Sequence, residues 1–312
     1  MNLQRTIKRE IFCRGIGLHS GRKINMKILP AGIDEGIVFI RRDVPGHSAV
    51  TACFENVSDT TLATTIGING TSVSTVEHLM SAFSGMGVDN AIVEIDGPEV
   101  PIMDGSALPF VSLLKDVGTR PQKKDKKILV INNVVSVSDY TGTAMLLPFP
   151  AFKITYKIDF KHPLIGQQFY SVTITDITYE TEISAARTFG FLKDVEYLQA
   201  KGLALGGSLK NAVVLNDKTV INKEGLRCAD EFVKHKILDA IGDLSLTGMP
   251  IKGHFIAYKS GHKLNHLLLK ELFAHKENYA VVSRYSKEGN ADAGQMSSLR
   301  RQSFKVFDAM NA

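Results

Sequence analysis

The sequence predicts an α+β protein of two domains, each a β-sheet with helices. Three observations predict it. Both halves of the chain run from short β-type segments into longer segments of helical periodicity. A polar, lysine-rich stretch over residues 118–127, with one proline, separates the halves. The 312 residues suit about two domains of ordinary size, and 44% apolar with 22% charged residues is the balance of a globular chain rather than a disordered one.

The elements follow in order. Residues 24–28 alternate apolar and polar, 36–40 end in Val38-Phe39-Ile40, and 91–95 read as a buried strand. A helical pattern runs from 75 to 85, where Gly85 and Gly87 stop it. A second helix over 107–116 follows the turn-rich segment 101–106. In the second half, strands are expected at 128–137, 152–160, 171–177 and 211–215, with a helix at 191–200. Helices at 230–246 and 263–274 are separated by a strand at 254–258 and followed by one at 279–285. These elements predict a first domain over 1–122 and a second over 123–290. The Ser-, Lys-, Gly-, Asn- and Asp-rich residues after Tyr285 predict a mobile tail, 291–312, with a short helix near Phe304.

Composition narrows the function. Three cysteines, with no CxxC spacing, argue against a disulfide framework and fit a reducing compartment. A net charge of +5 and a pI near 8.9 are mildly basic. The lysines and arginines are scattered, whereas a nucleic-acid binder concentrates them on one stripe. An anionic small substrate fits the balance, and no nucleic-acid partner is expected. The N-terminus has no apolar core of a signal peptide, and no apolar run approaches the ~18 residues of a membrane span. A cytoplasmic protein without a transmembrane segment is the expectation.

The chemistry concentrates in one helix. Relative to His235, Asp239 lies at about 40° and Asp243 at about 80° on a helical wheel. Val233, Ile237, Ala240, Ile241 and Leu244 gather on the other side. A His and an Asp at i, i+4 can converge on one ion, although a solvated polar face reads equally well from this helix alone. A third ligand must come from elsewhere. His78, preceded by Glu77, offers one, with a carboxylate placed to act as general base. The competing reading is a capping box, Ser74 with Glu77 three residues on. No HExxH motif occurs. His262 begins a helix after Gly261. The helix dipole disfavours a cation there, so His262 needs a compensating carboxylate to act as an acid, and Asp243 is the candidate. His262 and His266 form a rival metal pair with no carboxylate. The stripe Phe191, Val195 and Leu198 reads as core or as the lining of an acyl slot. The turn Leu205-Gly206-Gly207-Ser208 brings backbone near a ligand or is simply a turn.

Six segments together resemble one family: Gly17-Leu18-His19-Ser20-Gly21, Ser74-Thr75-Val76-Glu77-His78-Leu79, Pro101-Ile102-Met103-Asp104-Gly105-Ser106, Ala186-Arg187-Thr188-Phe189-Gly190-Phe191, His235-Lys236 with Asp239 and Asp243, and Ser260-Gly261-His262. Spread over residues 4–285, they resemble the UDP-3-O-acyl-N-acetylglucosamine deacetylases, zinc amidases of lipid A synthesis in Gram-negative bacteria. The resemblance implies two α+β domains whose helical layers stack face to face, with the site between them. It implies one zinc per chain on His78, His235 and Asp239, Glu77 as general base, and His262 as cationic acid held by Asp243. Thr188 would lie near the acetyl carbonyl. Phe160, Phe189, Lys236 and Lys259 would meet the UDP-sugar, the lysines near phosphate and Phe160 against uracil. An insert near 191–222, with Val195 and Leu198, would pass the acyl chain of a small-molecule UDP-acyl-sugar. A monomer is expected. Two other readings stay open: a zinc amidohydrolase for a different N-acetyl sugar, and a non-catalytic binding protein with structural histidines.

Overall fold

The computed structural model describes residues 3–46 and 49–283; the expected tail and its helix near Phe304 lie outside them. The first sheet has five strands in the spatial order Ile11–Ile16, Lys23–Pro30, Ala91–Ile95, Ile37–Arg41, Ala49–Thr51. On Lys23–Pro30, Ile24, Met26 and Ile28 are buried while Lys23 and Asn25 are exposed. This two-residue period is the one the sequence displays, because one strand face meets the core and the other meets water. Two helices accompany this sheet, α1 (Glu77–Gly85) and α2 (Leu108–Val117).

The second sheet has seven strands. Its spine is Ile251–Tyr258, parallel to Phe152–Phe160 and Ile128–Ile131 and antiparallel to Thr143–Leu147. Among the described residues, four α-helical segments belong to this half: α3, a single turn over Asp176–Thr178, α4 (Leu192–Ala200), α5 (Glu231–Ser245) and α6 (His262–Ala274). The architecture is mixed α+β, as expected.

The two halves meet helix against helix. In α1 every residue but Ser84 is buried, and in α5 both Ile237 and Asp239 are buried, so neither helix has a solvated face. Gly242 makes the close approach possible: a Cβ there would stand 2.7 Å from the Glu77 carbonyl carbon and 2.8 Å from its Cα. One continuous cluster of buried apolar side chains extends from Ile7 to Leu272, so both sheets and the helices between them share a core.

Three expectations are corrected in detail. The stretch expected to be a polar linker is a strand, Thr119–Asp125, paired antiparallel with Leu3–Ile7. A two-stranded ribbon buries little of its outer strand, so polar residues and Pro121 are tolerated and no apolar alternation advertises it. The single strand expected over 128–137 is two, Ile128–Ile131 and Val135–Ser138, which belong to different parts of the sheet. The strand expected at 171–177 is Gly166–Thr173, paired along its length with Phe152–Phe160. Among the described residues no helix is long and apolar enough to cross a membrane.

Candidate metal centre and its acid–base flank

Helix α5 aims His235, Asp239 and Asp243 along one side, at i, i+4 and i+8, and this side is packed against α1 rather than solvated. The chain enters α1 through Thr75, which has a left-handed φ of 56°. Such a conformation costs about 1–3 kcal/mol in a non-glycine residue. It is held by the Thr75 hydroxyl donating to Glu99 Oε1 at 3.0 Å.

His78 from α1 then meets α5. Its Nε2 lies 3.4 Å from Asp239 Oδ1, and His235 Nε2 lies 3.3 Å from the same oxygen. A tetrahedral ion with bonds of about 2.0–2.1 Å sets its ligand atoms about 3.3–3.4 Å apart, so these three groups fit such an ion. They are the one such cluster found among the described residues, with ligand atoms within 4.8 Å of one another, and the rival pair His262 and His266 is not part of it. The Nδ1 of His235 is 3.0 Å from the Ala186 carbonyl, which leaves Nε2 as the free acceptor. Burial pushes the His235 imidazole down to about 3, so it is neutral near pH 7. Burial opposes ionisation of Asp239, but His235 and the Lys236 ammonium outweigh it and hold the carboxyl well below its usual range. The Lys236 Nζ binds Asp239 Oδ2 at 2.8 Å, leaving Oδ1 for the cluster.

Beside the cluster stand Glu77 and His262. No side-chain hydrogen bond caps α1, and the Ser74 hydroxyl pairs with Thr65 instead. The capping-box reading of Glu77 therefore does not hold. Its Oε2 accepts the Thr64 backbone N–H at 3.0 Å, and its Oε1 lies 3.8 Å from His262 Nε2. Burial raises the Glu77 carboxyl above its ordinary value. His262 opens α6, with its Nδ1 2.9 Å from Asp243 Oδ2. Burial works against charging this imidazole, but Asp243 and Glu77 prevail and lift it to about 9. The loop before it is strained at Lys259, φ 51°, and anchored by the buried Tyr156 hydroxyl donating to the Ser260 carbonyl at 2.6 Å.

Two cavities adjoin the cluster. An inner one of about 190 Å³ is lined by Glu77, His78, Thr188, Phe189, Asp239 and His262 among others. An outer one of about 440 Å³ contains Phe160, Lys259 and the exposed Tyr140. Lys236 lines both. Phe160 stacks edge-on against Phe189 at 5.6 Å, so the aromatic pair bridges the two spaces. Lys259 binds Asp159 at 3.0 Å on the outer rim. Val195 and Leu198 do not line the inner cavity. Helix α4 has no buried residue, so their stripe is not ordinary core.

Several groups at the site were given no role of their own in the sequence, though His19, Arg187 and the turn at Leu205 lie in segments it picked out. His19 lines the inner cavity with both ring nitrogens buried and unpartnered. The turn at Leu205 and Gly206 lies on its loop, donating to the His19 and Leu18 carbonyls. Arg187 is buried against Glu231, one turn before His235, at 2.8 Å. Thr64 and Asn265 both donate to Asp243. A lone histidine between two glycines was the available signal for His19; a threonine or an asparagine carries none.

Comparison with known proteins identifies the family. The family model described as LpxC, UDP-3-O-acyl N-acetylglycosamine deacetylase, matches residues 4–274. Curated relatives bearing the name UDP-3-O-acyl-N-acetylglucosamine deacetylase include one from Syntrophus aciditrophicus, 64% identical over 283 residues, covering 91% of this chain and 90% of the relative. One from Myxococcus xanthus is 50% identical, covering 91% of each. One from Shewanella oneidensis is 47% identical, covering 93% of this chain and 96% of the relative. With a family match across most of its length and a buried two-histidine, one-aspartate cluster flanked by a carboxylate and an imidazole, the chain belongs to the UDP-3-O-acyl N-acetylglycosamine deacetylase family.

Proposed function

We propose that this chain hydrolyses the N-acetyl group of UDP-3-O-(3-hydroxyacyl)-N-acetylglucosamine, releasing acetate, as a cytoplasmic step of lipid A synthesis. The observation that carries the reading is the convergence of His78, His235 and Asp239 with Glu77 and His262 beside them. One zinc on the three ligands supplies a Lewis acid and a water acidified toward pKa ~7. Glu77, raised by burial and free at Oε1, takes the proton from the attacking water. His262 is protonated near neutral pH, and its Nε2–H faces the same space. It donates to the developing oxyanion, with Thr188 alongside, and then delivers a proton to the departing glucosamine nitrogen. Asp243 holds the imidazole through Nδ1.

The outer cavity supports the nucleotide end, with Lys236 and Lys259 near phosphate and Phe160 against uracil. Phe189 joins it to the reacting centre. The half-buried Val195 and Leu198, on a helix that buries nothing fully, are read as lining an acyl passage in an insert near 191–222. The chain is read as two domains acting as a monomer, with the boundary after the strand Thr119–Asp125, because that strand pairs with Leu3–Ile7 of the first half. Acetate release from the acylated UDP-sugar, measured before and after chelation and after zinc is restored, tests the reading. Full activity in chelated protein with no bound metal would refute it.

A further inference from the structure

Thr64 touches both partners of the acid–base flank. It is buried, in a loop before the strand Thr65–Ile68. Its backbone is tied to the entry of α1 twice: its N–H donates to Glu77 Oε2 at 3.0 Å, and its carbonyl accepts from Val76 N–H at 3.2 Å. Its hydroxyl reaches to α5 and donates to Asp243 Oδ1 at 2.6 Å. One residue thus holds a carboxylate from each half of the chain.

The consequence is orientational. Asp243 Oδ2 accepts from His262 Nδ1 at 2.9 Å and from Asn265 Nδ2 at 2.8 Å. The Asn265 amide is itself fixed by the Ser260 hydroxyl at 2.8 Å. With Thr64 on Oδ1 and Asn265 on Oδ2, the carboxylate plane cannot turn without leaving a buried oxygen unpaired, which is costly. That plane sets the direction of the His262 ring. On the other side, the Thr64 amide occupies Glu77 Oε2 and leaves Oε1 facing His262 Nε2 at 3.8 Å. Two hydrogen bonds from one residue therefore set which oxygen of each carboxylate is available, and how the base and the acid face each other. Leu62, two residues earlier, has a left-handed φ of 63°.

We infer that Thr64 is a positioning residue, acting through its hydroxyl on Asp243 to hold His262 in register with Glu77. This rests on the deacetylase reading. Thr64→Val keeps the shape and the backbone amide but removes the hydroxyl; Thr64→Ser keeps the hydroxyl. For each, acetate release from the acylated UDP-sugar is measured across substrate concentration, together with bound metal and melting temperature.

A lost hydrogen bond to a charged group predicts a fall in kcat of roughly ten- to a hundredfold for Thr64→Val, with KM within about twofold. Bound metal stays at the wild-type level, and Thr64→Ser recovers most of the rate. The inference is overturned if Thr64→Val keeps wild-type kcat, if Thr64→Ser falls as far as Thr64→Val, or if metal is lost in proportion to rate. Should Thr64→Val not fold, Thr64→Ala, which also lacks the hydroxyl, carries the same comparison against serine. A wild-type chain that released no acetate would sink the deacetylase reading itself, an outcome distinct from an active wild type indifferent to the hydroxyl.

Discussion

Replacing Gly242 by alanine tests whether the metal cluster depends on how closely α1 and α5 approach. The added Cβ would stand 2.7 Å from the Glu77 carbonyl carbon and 2.8 Å from its Cα. These are backbone atoms and cannot rotate away. Ordinary carbon–carbon contact is about 3.5–4.0 Å, so the helices must separate by roughly 1 Å. Overpacking of this kind costs about 1–3 kcal/mol, offset by about 1 kcal/mol because alanine is the better helix former. The net loss of stability is therefore about 0–2 kcal/mol. The site suffers more, because His78 rides on α1 while His235 and Asp239 ride on α5. Separating the helices stretches the 3.4 Å spacing between His78 Nε2 and Asp239 Oδ1, while the 3.3 Å His235–Asp239 pair stays together on α5. Misplacement by about 1 Å can cost on the order of a hundredfold in rate. The measurements are metal affinity by chelator competition, acetate release and melting temperature, with Ser84→Ala, at the one residue of α1 that is not buried, as control. A Gly242→Ala chain with wild-type metal affinity and kcat would refute the reasoning.

Other expectations follow from the same geometry. Glu77→Ala should keep its metal and lose turnover; near wild-type turnover would remove Glu77 as base. In the wild type, activity should fall as pH drops through the raised Glu77 value, where the base gains a proton, and fall again as pH rises past about 9, where His262 loses one; a flat profile through pH 9 would contradict the cationic role. Glu231→Gln should weaken the buried pair with Arg187, lower the melting temperature, and reduce metal affinity about 10- to 100-fold by releasing the segment whose Ala186 carbonyl holds His235; unchanged chelator competition would separate that segment from the metal. Leu198→Glu, on a helix with no buried residue, should leave folding and metal intact while raising KM for the acylated substrate far more than for the sugar lacking the chain; equal KM values for both would remove the passage.

The amino-acid sequence alone determined whatever depends on local periodicity. The strands Ala91–Ile95 and Phe152–Phe160 lie at the expected bounds, and α5 lies within a residue of them, because a two-residue or 3.6-residue apolar pattern reports the face an element buries. The placement of His235 and Asp239 on one side of α5 is equally local, since i, i+4 neighbours meet wherever the helix goes. Tertiary structure decided the rest. Whether that polar side was solvated or buried depended on α1, which arrives from about 150 residues earlier in the chain and can pack so close only because Gly242 has no side chain. The strand Thr119–Asp125 was hidden because its identity rests on hydrogen bonds to Leu3–Ile7, which leave no apolar signature. Glu77 satisfied a capping pattern in sequence, yet in space its carboxylate is claimed by Thr64, whose amide and hydroxyl join two halves that no spacing rule connects. Polar contacts between distant segments follow from packing, and packing is settled by the whole core at once.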